Sequence, residues 1–474
     1  MHPTQRTDWL PLGLLAALGI AGTWAIVWQP LAAAALATAL ALYVILSTGT
    51  HPVRLFLGCL SVVLGGYAFL GRSFAYLGAA PVYVGELALA LGLLCVVLAG
   101  GLTPVPFFGL IAAFILQQAL CTFPHLGTYG LECLRDAVLW GYALFALIAA
   151  AFVIRTGSFA GVHNLYRRVL PWFLLWAPVA TFVRLSGFGE NGPFVPGTTV
   201  PLLDLKAGDT AVHLAGVLAF LYLNLHLDGV RNRVRASNQE WLLWLLWFGG
   251  VLVATSTSRG SLLAILATLA VLVCFYPNGN WKKMAAMIAV ACLVLTALSF
   301  RVETNYVGRA ISPEQLASNF ESLFVEKNEG ELEGTRRWRV EWWKQIVDYT
   351  VFGEHFWNGK GYGINLADED GFQVAEDHSL RAPHNAHLTI LARSGVPGFA
   401  LWVALQVAFA GSLVRAHLRA RRLGHDRWAR LDLWLLAYWL AFLINGSFDV
   451  FLEGPQGGIW FWSLYGFGLA ALGL

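Results

Sequence analysis

Stretches of about twenty apolar residues recur along almost the whole of this chain, from Trp9 to Gly473. No other feature limits the possible folds as much. A helix of that length rises about 30 Å, the hydrocarbon thickness of a bilayer. With 57% hydrophobic residues, 12% charged residues and 20 tryptophans, the chain has far more apolar surface than a soluble domain of its length could bury. Its mean hydropathy of +0.62 agrees. The sequence therefore reads as an all-α polytopic membrane protein.

Fourteen runs stand out: 9–28, 30–48, 54–71, 81–100, 103–121, 137–154, 169–184, 209–228, 240–257, 260–276, 284–300, 396–414, 433–448 and 457–473. Merging doubtful neighbours leaves twelve. The first run is too long for a signal-peptide core and is read as a retained span. When the fourteen are threaded alternately, Arg6, Arg54, Arg155, Arg167, Arg168, Arg231, Arg233, Arg235, Lys282, Lys283 and the cluster from Arg415 to Arg430 all fall on one face. The positive-inside rule makes that face cytoplasmic and puts both termini there. Three parts follow: an N-terminal bundle over 1–300, a polar loop subdomain over 301–383, and C-terminal helices over 384–474. No internal repeat is evident.

On the opposite face, arginines run against the charge bias. Arg184 closes one span, Arg259 sits in the turn Thr257-Ser-Arg-Gly260, and Arg336, Arg337 and Arg339 open a helix that starts near Thr335. Guanidinium groups there can snorkel to lipid phosphates. Their fork geometry equally suits a bound diphosphate. The stretch Arg381–Gly398 ends the polar excursion. In it His384, Leu388, Leu391, Gly395 and Gly398 follow at steps of four, three, four and three, one stripe on a helix. His384, just after Pro383, reads as the helix N-terminus, where the dipole disfavours a charged imidazole and leaves a base. Its plain alternative is a capping histidine. Asn385, His387, Lys360 and Tyr362 are further candidates for substrate contact, and Glu86, Asp209, Asp449 and Glu453 are candidate partners for the arginines.

Asp368-Glu-Asp370 has the spacing that holds a divalent ion on a diphosphate in many glycosyltransferases. A solvated acidic loop is the preferred reading, because clustered arginines already supply the charge. No metal or other cofactor is expected. Cys121 and Cys133 flank a short outer segment, which leaves open either a disulfide or two free thiols.

Taken together the chain resembles the O-antigen ligase family. That family's motif is His, then Asn, Ser or Gln, nine residues, Gly, two residues, then Gly, Thr or Tyr. Here it reads His384-Asn385, nine residues, Gly395, Val396-Pro397, Gly398. The Ser258-Arg259-Gly260 turn, and Arg339 with Trp343 followed by Gly361-Tyr362-Gly363, resemble the family's other landmarks. The resemblance implies a GT-C type glycosyltransferase with about 12–14 transmembrane helices and one large periplasmic loop, in the bacterial inner membrane. It also implies a metal-independent, inverting transfer of glycan from undecaprenyl diphosphate to a sugar hydroxyl of lipid A–core oligosaccharide. His384 would be the base, and Arg259, Arg184 and members of the Arg336, Arg337, Arg339 group would hold the diphosphate. Partners would be the two lipid-linked glycans and the bilayer, not nucleic acid. An O-antigen or exopolysaccharide polymerase shares the motif with variation, as does a protein O-oligosaccharyltransferase. A lipid-linked oligosaccharide flippase, from a different class, would call for charges near mid-membrane and pseudo-repeats.

Overall fold

The computed structural model describes residues 51–79, 82–187, 192–229, 233–305, 309–321 and 331–474. The first two apolar runs, 9–28 and 30–48, lie outside the described residues, as does the side chain of Arg336. The N-terminal elements are α1 (Pro52–Leu70), α2 (Arg72–Ala75), α3 (Val84–Leu98), α4 (Phe108–Tyr129), α5 (Leu131–Gly141), α6 (Ala143–Thr156) and α7 (Phe159–Leu185). Next come α8 (Ala207–Tyr222), α9 (Arg233–Ser256), α10 (Arg259–Phe275) and α11 (Trp281–Ala297). The polar excursion holds α12 (Pro313–Glu321), α13 (Glu331–Val351) and α14 (Leu366–Glu369); α15 (Ala386–Arg422), α16 (Asp426–Gly446) and α17 (Pro455–Gly473) end the chain. Two short antiparallel hairpins, β1–β2 (Gly78–Ala79, Val82–Tyr83) and β3–β4 (Val302–Glu303, Ala310–Ile311), are the only strands among the described residues.

Each of the twelve predicted runs within the described residues is helical. Among the described residues α1, α4, α7 and α15 are long and apolar enough to cross a membrane, and the bent pair α5–α6 adds a fifth if it is one span. Among the described residues that criterion selects fewer helices than the twelve predicted runs they contain, and burial supplies the reason. In α8 every residue from Gly208 to Tyr222 is buried, so its neighbours, not lipid, set its length. Similarly, α17 carries Gly, Ser and Tyr on surfaces that meet protein. A Cβ on Gly466 would lie 2.6 Å from the Ala146 carbonyl, so α17 can reach the alanine-rich face of α6 only as glycine.

Two ends of the bundle differ in charge. At one, Arg430 donates to Leu223 O (3.0 Å) and Asp228 (2.9 Å), Arg167 reaches Asp228 O, Arg421 caps Phe275 O (2.9 Å) and Arg155 reaches Ala99 O (2.6 Å). Loops far apart in sequence thus bring their cations together, as the alternating threading expects. The polar excursion packs on the other end. It does not close a core of its own: Trp342, Ile346, Leu366 and Ala367 share a cluster with Leu391 and Ala392 of α15, and Trp342 stacks on Phe372 at 5.4 Å. The β3–β4 hairpin and α12 sit instead on the ends of α7 and α9, where Ile311 meets Leu185 and Leu252.

The expected stripe on α15 is interrupted. Gly395 has φ 65°, so a first segment of α15 ends there and a second begins. Its missing Cβ lets the 356–359 loop press in, with Val396 N donating to Phe356 O at 2.8 Å. Gly398 alone fills the packing role foreseen for both glycines: a Cβ there would lie 2.8 Å from Gln118 Nε2 of α4. The predicted loop 122–136 is mostly helix, since α4 runs through Pro124 to Tyr129. Cys121 and Cys133 are both free thiols, buried beside Tyr362.

Candidate active site

Asn385, not His384, starts α15. Its side chain accepts from His387 N (3.0 Å) and Leu388 N (3.1 Å), an N-cap that satisfies two orphan donors. His384 stands one residue outside that cap with φ 52°, a left-handed conformation that costs a non-glycine residue about 1–3 kcal/mol. Helix α13 holds it there: Trp343 Nε1 donates to Pro383 O at 2.8 Å, and the Trp338 ring meets the imidazole edge-on at 6.4 Å. The imidazole faces Asp449 in the loop between α16 and α17, with Nδ1 3.7 Å from Oδ1. That separation is an electrostatic contact, longer than a hydrogen bond. Burial by itself would raise the Asp449 carboxyl, but His384 and Lys206 overcome it and draw the group down to about 2.

The same loop gathers arginines. Ser258 caps α10 by accepting from Ser261 N (3.2 Å), which fixes Arg259 as the first helical residue. A Cβ on Gly260 would lie 3.2 Å from Phe448 Cβ, so this turn abuts the loop directly. From α13, Arg339 donates to Phe448 O at 3.1 Å. Burial pushes its guanidinium pKa down while Asp449 pulls it up. The Nε atoms of Arg259 and Arg339 are both buried without a hydrogen-bond partner, and neither arginine has an ion pair among the described residues. Arg309 approaches from the β3–β4 hairpin: burial lowers its pKa, and the charge on Arg259 lowers it further. Lys206, just before α8, acts on Asp449 as Arg339 does. Arg339 and Lys206 act on Asp449, and Arg259 acts on Arg309; cations gathered in this way can hold an anion.

Two predicted phosphate-binding residues are placed differently. Arg184 is paired with Asp204, which also lies 4.0 Å from Arg72. Arg337 is exposed on α13. Three other candidates are held by the protein itself. His387 is buried, with Nε2 3.1 Å from Leu443 O and Nδ1 accepting from Trp402 Nε1 at 3.0 Å. Tyr362 is fully buried, and its hydroxyl donates to Gln118. Lys360 pairs with Asp370 at 2.6 Å and lies over the Tyr349 ring. These contacts engage polar atoms of Lys360, Tyr362 and His387 within the protein. The Asp368 and Asp370 carboxylates are also separated by their partners. Asp370 is buried and accepts from Trp342 Nε1 (2.6 Å), whereas Asp368 is held by His378 (2.7 Å) and Gln373 (2.9 Å). Glu86 accepts from Tyr142 OH (2.6 Å) and caps Tyr83 N (3.1 Å) instead of meeting an arginine.

Glu453 has a different environment. Both its oxygens are sealed from solvent without a hydrogen-bond partner, and the nearby Thr389 hydroxyl donates to Asn385 O instead. Burial pushes its carboxyl up to about 7. Arg309 and Lys206 were not singled out from sequence. Each carries the signal that flagged Arg259, a cation on the face depleted of them, but one lies in a weak hairpin and the other in an irregular segment.

Residues 244–403, about a third of the chain, match a family model described as O-Antigen ligase. Arg259, Arg309, Arg339 and His384 fall inside that stretch, while Lys206, Asp449 and Glu453 fall outside it. No curated protein matches the chain. Between residues 244 and 403 the chain is therefore similar to the O-antigen ligase family.

Proposed function

We propose that the protein transfers a glycan from undecaprenyl diphosphate to a sugar hydroxyl of lipid A–core oligosaccharide. The observation that carries this reading is the convergence of Arg259, Arg339 and the His384–Asp449 pair on one loop, 447–454. In the proposed reaction the acceptor oxygen attacks the anomeric carbon from the side opposite the diphosphate. The new carbon–oxygen bond forms as the bond to the diphosphate breaks, and the configuration inverts. His384, with Nδ1 toward Asp449, takes the hydroxyl proton at Nε2; a positioned base of this kind contributes roughly 10²–10⁴ in rate. The departing diphosphate gains negative charge, which the guanidinium groups offset in a half-buried site where such pairing is strong. In this scheme the arginines neutralise the diphosphate charge that a divalent ion neutralises in other transferases.

Cations concentrate at the end of the bundle away from this site. By the positive-inside rule that end is cytoplasmic, which supports a periplasm-facing site in the bacterial inner membrane. The polyprenyl and acyl chains would remain in the bilayer while the reacting headgroups meet at its surface.

The test is reconstitution in vesicles with undecaprenyl diphosphate-linked glycan and two alternative acceptors. A ladder of glycosylated lipid A–core supports the ligase reading. If only longer lipid-linked glycans form, the protein is a polymerase. Movement of the lipid-linked glycan across the vesicle with no glycosidic bond formed contradicts both.

A further inference from the structure

Resting on that reading, we infer that Arg309 is a phosphate-binding residue of the donor site and that Asn319 is the bracket that positions it beside Arg259. Arg309 immediately precedes strand β4 within the β3–β4 hairpin, and its NH1 donates to Asn319 Oδ1 at 2.8 Å. The same amide faces the other way through Nδ2, donating to Thr255 O (2.6 Å) and Ser256 O (3.1 Å). Those carbonyls end α9, four and three residues before Arg259. One buried side chain therefore ties the hairpin's arginine to the Thr257–Gly260 turn. Gln315 adds a further bond to the Asn319 oxygen at 3.0 Å, which fixes the amide's orientation. Orphan carbonyls at a helix end could be satisfied by water; here an asparagine takes them and fixes a cation next to another cation.

Two guanidinium groups brought together repel, and no carboxylate pairs with either Arg259 or Arg309 among the described residues. Arg309 gives its NH1 proton to a neutral amide oxygen, so its full charge remains for another partner. A diphosphate is the anion that suits the pair. It carries two phosphoryl groups on one bridging oxygen, so each fork can take one phosphate. A monophosphate lipid would satisfy one fork and leave the other charge unmatched. Arg309 thus selects the diphosphate carrier over its monophosphate form, which is the carrier state that remains after hydrolysis.

Binding of polyprenyl diphosphate and polyprenyl monophosphate to the detergent-solubilised, full-length protein tests this without any transfer reaction. Wild-type protein is expected to prefer the diphosphate. Arg309→Gln should weaken diphosphate binding about 10- to 100-fold, the range for a lost charge-assisted hydrogen bond, while changing monophosphate binding little. Arg309→Lys should recover part of the affinity, because a point charge remains but the fork does not. Asn319→Ala should weaken diphosphate binding less than Arg309→Gln, with the double variant no worse than Arg309→Gln alone. Equal diphosphate affinity in wild type and Arg309→Gln would overturn the inference while leaving the proposed function standing. Failure of wild-type protein to bind the diphosphate lipid would instead remove the proposed function on which it rests.

Discussion

Asp136→Asn should destabilise the protein by about 3 kcal/mol, because it leaves Arg393 as a buried charge without a counter-ion. Asp136 Oδ2 lies 2.9 Å from Arg393 and 3.0 Å from Arg381, and it accepts from Gly363 N at 3.0 Å. The Arg393 side chain is only 3% exposed. Breaking a buried pair costs about 3–5 kcal/mol. The lower end applies here for two reasons. Arg381 keeps Glu132 at 3.0 Å, and Arg393 keeps the carbonyls of Gly361 (3.3 Å) and Ile364 (3.2 Å). A change of that size shifts the folded-to-unfolded ratio roughly a hundredfold. Denaturant titration in mild detergent, followed by tryptophan fluorescence, measures it. The double variant Asp136→Asn with Arg393→Met should recover most of the loss, since an apolar side chain of similar length needs no counter-ion. Wild-type stability in Asp136→Asn, or strict additivity in the double variant, would refute the argument that Arg393 is a structural residue inside the motif stretch.

Lys360→Met should cost about 3 kcal/mol by leaving Asp370 unpaired, with donor KM unchanged in the surviving enzyme; a raised KM would return Lys360 to the substrate site. Tyr362→Phe should cost about 1 kcal/mol through the lost bond to Gln118 and leave turnover intact, which thermal-shift and transfer assays would check together. Glu453, among Thr389, Arg393 and Asp449, has its carboxyl raised to about 7 from the ordinary 4.5. The folded state therefore holds a proton that the unfolded state loses, so stability should fall as pH rises from 4.5 through 7, by up to roughly 3 kcal/mol. Glu453→Gln should flatten that slope, and an unchanged pH dependence would show that the carboxylate finds a partner.

Much of the architecture was legible because burial in a bilayer demands long apolar runs, and each described run is a helix. Their role was harder to read. A helix such as α8, enclosed by its neighbours, has the same composition as one that faces lipid. Motif spacing located His384, but not its environment. The cap belongs to Asn385, and the partner, Asp449, comes from a loop 65 positions away (449 minus 384). Gly395 looked like a helix-packing residue because its spacing is helical, whereas its φ of 65° serves a loop contact. Sequence also did not reveal the partners of Lys360 and Tyr362, whose polar groups meet Asp370 and Gln118 inside the protein. Arginine clusters pointed to an anion, but only the fold distinguishes Arg184, which Asp204 neutralises, from Arg259, which no carboxylate pairs with among the described residues.

The most direct measurement compares donor binding and transfer in His384→Ala. The protein would be purified with undecaprenyl diphosphate-linked glycan and lipid A–core, with EDTA present. The account predicts donor affinity close to wild type, because the arginines are intact, together with loss of the glycosylated lipid A–core ladder by a factor of about 10²–10⁴. Transfer at the wild-type rate by His384→Ala would contradict the assignment of His384 as the base.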